Sequence, residues 1–181
     1  MSNYIEFYNK LNKYNMITPV YKHLLSLIDE EINISGKDEI LILFAIYFSL
    51  LSDGNIGMSL DKQKLLTKWE TKVNATLAQV KEQEDINKDK ELNEINEINE
   101  IRLVANDIIN NQLNEINEDN LSSIIGENKM FVIDNNWLYA TKYDKARKSL
   151  LDSINRLFNK TFPVKKHFSY HNQTEYFHTV H

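Results

Sequence analysis

Residues 40–65 read ILILFAIYFSLLSDGNIGMSLDKQKL, and the fold turns on how this stretch is read. Over the thirteen positions from Ile40 to Ser52 nearly every side chain is apolar. A helix apolar all round is buried on several sides or embedded in lipid. Thirteen residues fall short of the roughly 20 that a membrane helix needs, so the run reads as a core helix and no membrane span is expected. Lys37, Asp38 and Glu39 open it, with carboxylates at the positive end of the helix dipole. Asp53-Gly54 stops it, and Gly54 and Gly57, two of only four glycines, fall three positions apart. The stretch LLSDGNIGMSL is therefore expected to be a structural corner, with Gly54 at the stop and Ile56 and Leu60 turning inward before the next helix.

The flanking text is helical in period. Before the corner, Ser2 is expected to cap a helix running to about Tyr14, with Tyr4, Phe7, Tyr8, Leu11 and Tyr14 on one face. Thr18-Pro19 starts a second helix that turns Leu24, Leu27 and Ile28 inward, and Gly36 breaks it. After the corner, a helix from about Asp61 sets Leu65, Leu66, Trp69, Val73, Leu77 and Val80 at three- and four-residue steps.

ELNEINEINEI then forms a low-complexity triplet repeat within an acidic segment of about 84–120. Its isoleucines at 95, 98 and 101 step by three, so the stripe slides about 60° backward per step on an α-helix. The spacing keeps neither helical nor heptad period, and the segment reads as a helical or partly disordered insertion of little functional content.

Beyond Gly126, KMFVIDNNWLYAT has two short β-type runs around Asp134-Asn135-Asn136, where Asn tolerates positive φ. This is a hairpin signal. A lone hairpin is unstable, so it must lie on the helices, with Val132, Trp137 and Tyr139 expected inward. Thr141 or Asp144 starts a last helix with Ala146, Leu150, Ile154, Leu157 and Phe158 inward and Lys142, Lys145, Arg147, Lys148 and Arg156 largely outward. The fold class expected is mainly α, a helical domain with one small β-hairpin packed on the helices.

Composition agrees with that class. At 181 residues, 42% hydrophobic and 26% charged, the chain suits one soluble domain with a core, or one domain plus an extended segment. Four Gly and two Pro favour long helices over a turn-rich sheet fold. With no cysteine, disulfides, thiolate zinc sites and thiol nucleophiles are excluded. The polar, amphipathic start MSNYIEFYNKLNKYN lacks the apolar core of an export signal, so a cytoplasmic location is expected. The net charge of −5 is uneven: residues 81–120 hold twelve acids against four bases, whereas 141–166 hold eight bases against two acids. That basic stretch is either the wet side of an amphipathic helix or a face for phosphate or an acidic partner.

Motifs for chemistry are absent. No G-x-x-x-x-G-K-[ST] or G-x-G-x-x-G loop occurs, and Gly57-Met58-Ser59 lacks the second glycine of a nucleophile elbow. The solvated acidic repeat offers no dry pocket to tune a carboxylate. His167, His171, His178 and His181 crowd the end of the chain, and an H-x-x-x-H spacing with Glu175 has the ligand types for zinc. It lacks the intervening Glu of H-E-x-x-H and any apolar period to hold it, so residues 165–181 are expected to be an unstructured, atypical tail with no metal.

Taken in order, LLSDGNIGMSL with Gly54, Ile56 and Leu60, then MFVIDNNWLYATKYDKARKSLL with Leu138-Tyr139, Lys142 and Tyr143, then Phe162-Pro163, resemble the N-terminal domain of RecD, the alpha subunit of exodeoxyribonuclease V. The resemblance covers roughly residues 15–164. In that family the Phe-Pro step precedes a glutamine-bearing helix and a P-loop, and this sequence stops at His181 with neither. The resemblance implies a domain, residues 1–164, that helps hold an ATP-dependent 5′-to-3′ DNA helicase motor against a RecC-type subunit. The ATPase is missing, so ATP and magnesium would belong to the absent motor and no cofactor is expected in this chain. The expected role is docking within double-strand-end processing, in a truncated, frame-shifted or fragmentary product. The alternative is a stand-alone helical protein that binds nucleic acid through the basic 141–166 helix.

Overall fold

The structure, a computed structural model, describes residues 3–32, 36–82, 88–125 and 130–159. In chain order it contains α1 (Tyr4–Lys13), α2 (Tyr21–Glu31), α3 (Lys37–Ser52), β1 (Gly57–Ser59), α4 (Lys62–Lys81), α5 (Lys88–Gln112), α6 (Glu118–Ile125), β2 (Phe131–Asp134), β3 (Trp137–Ala140) and α7 (Thr141–Asn159). It is mostly helical, with a small antiparallel sheet of order β1-β3-β2 packed on the helices. The chain divides into two compact units, with the boundary between Ala146 and Arg147 inside α7.

Every residue of α3 from Ile40 to Leu51 is buried, as its unbroken apolar run requires. α1, α2, α5 and β1 pack around it. Phe44, Tyr47 and Phe48 meet Phe131 of β2 at ring-centroid distances of 5.0, 5.7 and 6.2 Å, and Tyr21 stacks on Phe48 at 4.7 Å. Asp53 is the C-cap and Gly54 follows at φ 81°, the left-handed turn expected of the corner.

The corner does more than turn the chain. Gly57–Ser59 forms β1, which sequence reading missed, and pairs antiparallel with β3: Gly57 lies opposite Tyr139, Met58 opposite Leu138 and Ser59 opposite Trp137. Met58 is buried and Leu60 packs on the core, but Ile56, expected inward, is 51% exposed. Three residues are too few to show an alternating pattern, so nothing local announces this strand. Gly57 is needed for close approach, because a Cβ there would sit 2.7 Å from the Tyr139 ring and 2.9 Å from the Leu138 carbonyl oxygen.

The hairpin forms around Asn135 and Asn136, at φ 50° and 61°, as a two-residue turn suited to the strand twist. Its faces meet the expectation in part. Tyr139 is buried at 7% exposure, as expected, whereas Val132 and Trp137 on the same side of the strands are only half-buried. Phe131 and Leu138 on the opposite side belong to the core, with Ile133 and Ala140 packed against it, because side chains alternate with a period of two and both sides of the hairpin are covered. Trp137 and Tyr139 stack on each other, 6.3 Å apart.

The acidic repeat is helical, one of the two forms expected of it, and it contributes to the core. It lies in α5, a 25-residue helix packed on α4, α3 and α1, with Ile98, Ile101, Ala105, Ile108 and Ile109 buried. The backward slide of the triplet stripe is used, because the isoleucines drift across neighbours on more than one side. Smaller corrections fall at helix starts. Asn3, not Ser2, caps α1 by accepting from the Ile5 N–H at 2.8 Å. Thr18 does not cap α2; its hydroxyl donates to Ser52 Oγ at 3.0 Å, and helical geometry begins at Tyr21. In α2, Leu25 and Ile28 are buried while Leu27 is 36% exposed.

Candidate functional site

The charged side chains of the helical frame mostly bind one another. Two glutamates of the repeat point to α1, where Lys10 Nζ reaches Glu100 at 3.0 Å and the Tyr14 hydroxyl donates to Glu97 at 2.6 Å. Lys13 also donates to Glu97, and the two donors hold its carboxyl below the usual range. Burial and then the Glu97 bond push the Tyr14 hydroxyl up to about 12. A matching cluster joins α1 to α2, where Tyr4 donates to Asp29 at 2.9 Å and Lys37 pairs with Asp29 at 2.7 Å. Burial and the Asp29 bond push Tyr4 up to about 12, while Lys37 first and Tyr4 second hold Asp29 low. Between α4 and α5, Arg102 meets Glu70 at 3.2 Å and Asn74 at 2.5 Å, and Asn106 donates to Glu70 at 2.8 Å. These are structural clamps, and the repeat's acids contribute to them.

At the C-terminal end of α3 the arrangement is different. Lys72 of α4, only 9% exposed, donates to the Ser49 carbonyl at 2.9 Å and to Asp53 at 2.5 Å, placing a cation at the negative end of the α3 dipole. Asn55 donates to the Leu50 carbonyl at 2.6 Å, and the buried Ser49 hydroxyl donates to the Met16 carbonyl at 2.6 Å. Beside this cap runs an open groove of about 380 Å³, lined by the buried Met16 and Leu50 and by Asn15, Lys68, Lys72 and Ala75. Sequence reading passed over it. Lys68 and Lys72 stand one turn apart on the polar side of a helix whose apolar side drew the attention.

The five basic residues singled out in the sequence all lie on α7; Lys142, Lys145, Lys148 and Arg156 are exposed and Arg147 is half-buried. Leu150, Leu151 and Ile154 are 62, 45 and 36% exposed and Ala146 is exposed too, so Ala146, Leu150 and Ile154 are not the inward set expected. The side chains of Leu157 and Phe158, Phe162-Pro163, and the 165–181 tail with its histidines lie outside what the structure describes. Of the landmarks, Gly54, Leu60, Leu138 and Tyr139 meet at the corner and sheet, and Ile56 is at the surface.

Among the described residues no group of three or more His, Cys, Asp and Glu is placed to hold a metal ion, and no helix is long and apolar enough to cross a membrane. Comparison with protein-family models, with curated proteins and with solved structures found no match.

Proposed function

We propose that the chain is a docking and scaffold module resembling the N-terminal domain of the RecD subunit of exodeoxyribonuclease V, with a RecC-like subunit as its partner. The observation that carries this reading is the pairing of β1 with β3: the two landmark segments, about eighty residues apart, meet as neighbouring strands with Gly57 opposite Tyr139. Segments that carry a resemblance only as scattered words need not touch; these build one sheet. An exposed aliphatic side on α7, formed by Leu150, Leu151 and Ile154, agrees with a domain whose work is association. Co-purification of the folded chain with a RecC-like subunit tests the reading. Capture supports it, and failure of folded protein to be retained counts against it.

A second reading, single-stranded nucleic acid bound by the basic 141–166 stretch, is favoured by the exposure of Lys142, Lys145, Lys148 and Arg156. Phosphate neutralisation makes such binding fall steeply with salt. Absence of affinity for a short oligonucleotide at low ionic strength removes it.

A further inference from the structure

We propose that the groove at the C-terminal end of α3 is a binding site for a small organic anion, a carboxylate or a phosphate monoester, that carries an apolar group. Neither the docking reading nor the nucleic-acid reading uses this groove. An ammonium has three donors. Lys72 spends two of them on the Ser49 carbonyl and the Asp53 carboxylate, and with its side chain 9% exposed the third has little bulk water to meet. Lys72 lines the groove, and the exposed Lys68 lines it one turn earlier. Asp53 offsets one of the two positive charges, which leaves a net single charge for an anion. Asn15, at φ 55°, lines the rim, with its backbone N–H already donated to the Asn12 carbonyl. The buried Met16 and Leu50 supply apolar lining and the exposed Ala75 adds to it, and about 380 Å³ is room for a small metabolite rather than for a bare ion.

The test titrates isotope-labelled full-length protein, followed by amide chemical shifts, with phenylbutyrate, phenyl phosphate and the uncharged phenylbutanol. Either anion is expected to shift the amides of Asn15, Met16 and residues 68–79, and the tighter of the two assigns carboxylate or phosphate. Lys68→Ala, at an exposed position, is expected to weaken binding about fivefold. Ala75→Leu, which narrows the groove from its exposed wall, is expected to weaken it further, and Lys22→Ala on α2 leaves it unchanged. Equal binding of phenylbutanol, no effect of Lys68→Ala, or no shifts with either anion at about 10 mM overturns the proposal.

Discussion

Gly57 is where the corner and the sheet meet most closely, and replacing it with alanine measures that contact. Its backbone is not in the left-handed region, so the cost is steric rather than conformational. The added Cβ would lie 2.7 Å from Cδ1 and Cε1 of Tyr139 and 2.9 Å from the Leu138 carbonyl oxygen. The ring has little freedom to retreat because it stacks on Trp137, and the carbonyl is fixed by the β1–β3 register. Overpacking of this kind costs about 2 kcal/mol, which for a chain of this size lowers Tm by about 4–8 °C. Gly54→Ala is the contrast: nothing lies within 4 Å, and only the φ of 81° opposes a side chain, at about 1 kcal/mol. Urea unfolding followed by circular dichroism gives both numbers, with the slope unchanged. Adding Tyr139→Ala to Gly57→Ala is expected to recover about 1 kcal/mol beyond additivity, since the ring clash goes and the carbonyl clash stays. If Gly57→Ala matches the parent within about 0.5 kcal/mol, the close approach of the two strands is wrong.

Other expectations follow from single contacts. Ile98→Ala in the repeat is expected to cost about 2–4 kcal/mol by leaving a cavity, whereas Leu92→Ala, at a position 58% exposed, costs under about 0.5; equal effects in the same urea assay would return the repeat to a solvated insertion. Lys72→Met strips the cation from the α3 C-terminus, and because Asp53 is 46% exposed the loss is expected at about 2 kcal/mol rather than the full cost of an unpaired buried charge. On the alkaline side, Tyr4 and Tyr14 are raised from 10.0 to about 12 in the folded state, so the stability they contribute is complete below pH 10 and is lost as pH rises toward 12. Stability measured across that window is expected to fall, and Tyr4→Phe with Tyr14→Phe to flatten the fall; an unchanged slope contradicts the hydrogen bonds of the two phenols to Asp29 and Glu97. On the acid side Asp29 and Glu97 are lowered, so their contribution is present above the ordinary carboxyl range and disappears as pH drops through the folded values; Glu97→Gln is expected to make acid unfolding less steep.

What was legible in the sequence had a strong period or a strong local signal. The unbroken run of α3, the three- and four-residue steps of α4 and the Asn135-Asn136 turn each specify their element without help. What was not legible depended on a partner. β1 is a strand because β3 lies beside it, and no feature of Gly-Met-Ser says so alone. The isoleucines of α5 are core because α1, α3 and α4 surround them, although their triplet step defeats a search for one fixed face. In the hairpin Tyr139 is buried as expected, but Leu138 on the opposite side is fully buried too, because helices cover one side and β1 flanks the other strand edge, which no single alternation in the sequence reveals. The groove beside Lys72 was invisible for the same reason: it is made by α4 facing the α3 C-terminus, a juxtaposition that belongs to the fold.

The claim that this chain is a docking module meets its most direct test in a calorimetric titration of the purified chain with a RecC-like subunit. The expected result is a one-to-one complex with a Kd of about micromolar or tighter, as an interface of standard size can give, weakened at least about tenfold by Leu150→Gln with Ile154→Gln. Folded chain that gives no heat and no co-elution with that subunit contradicts the account.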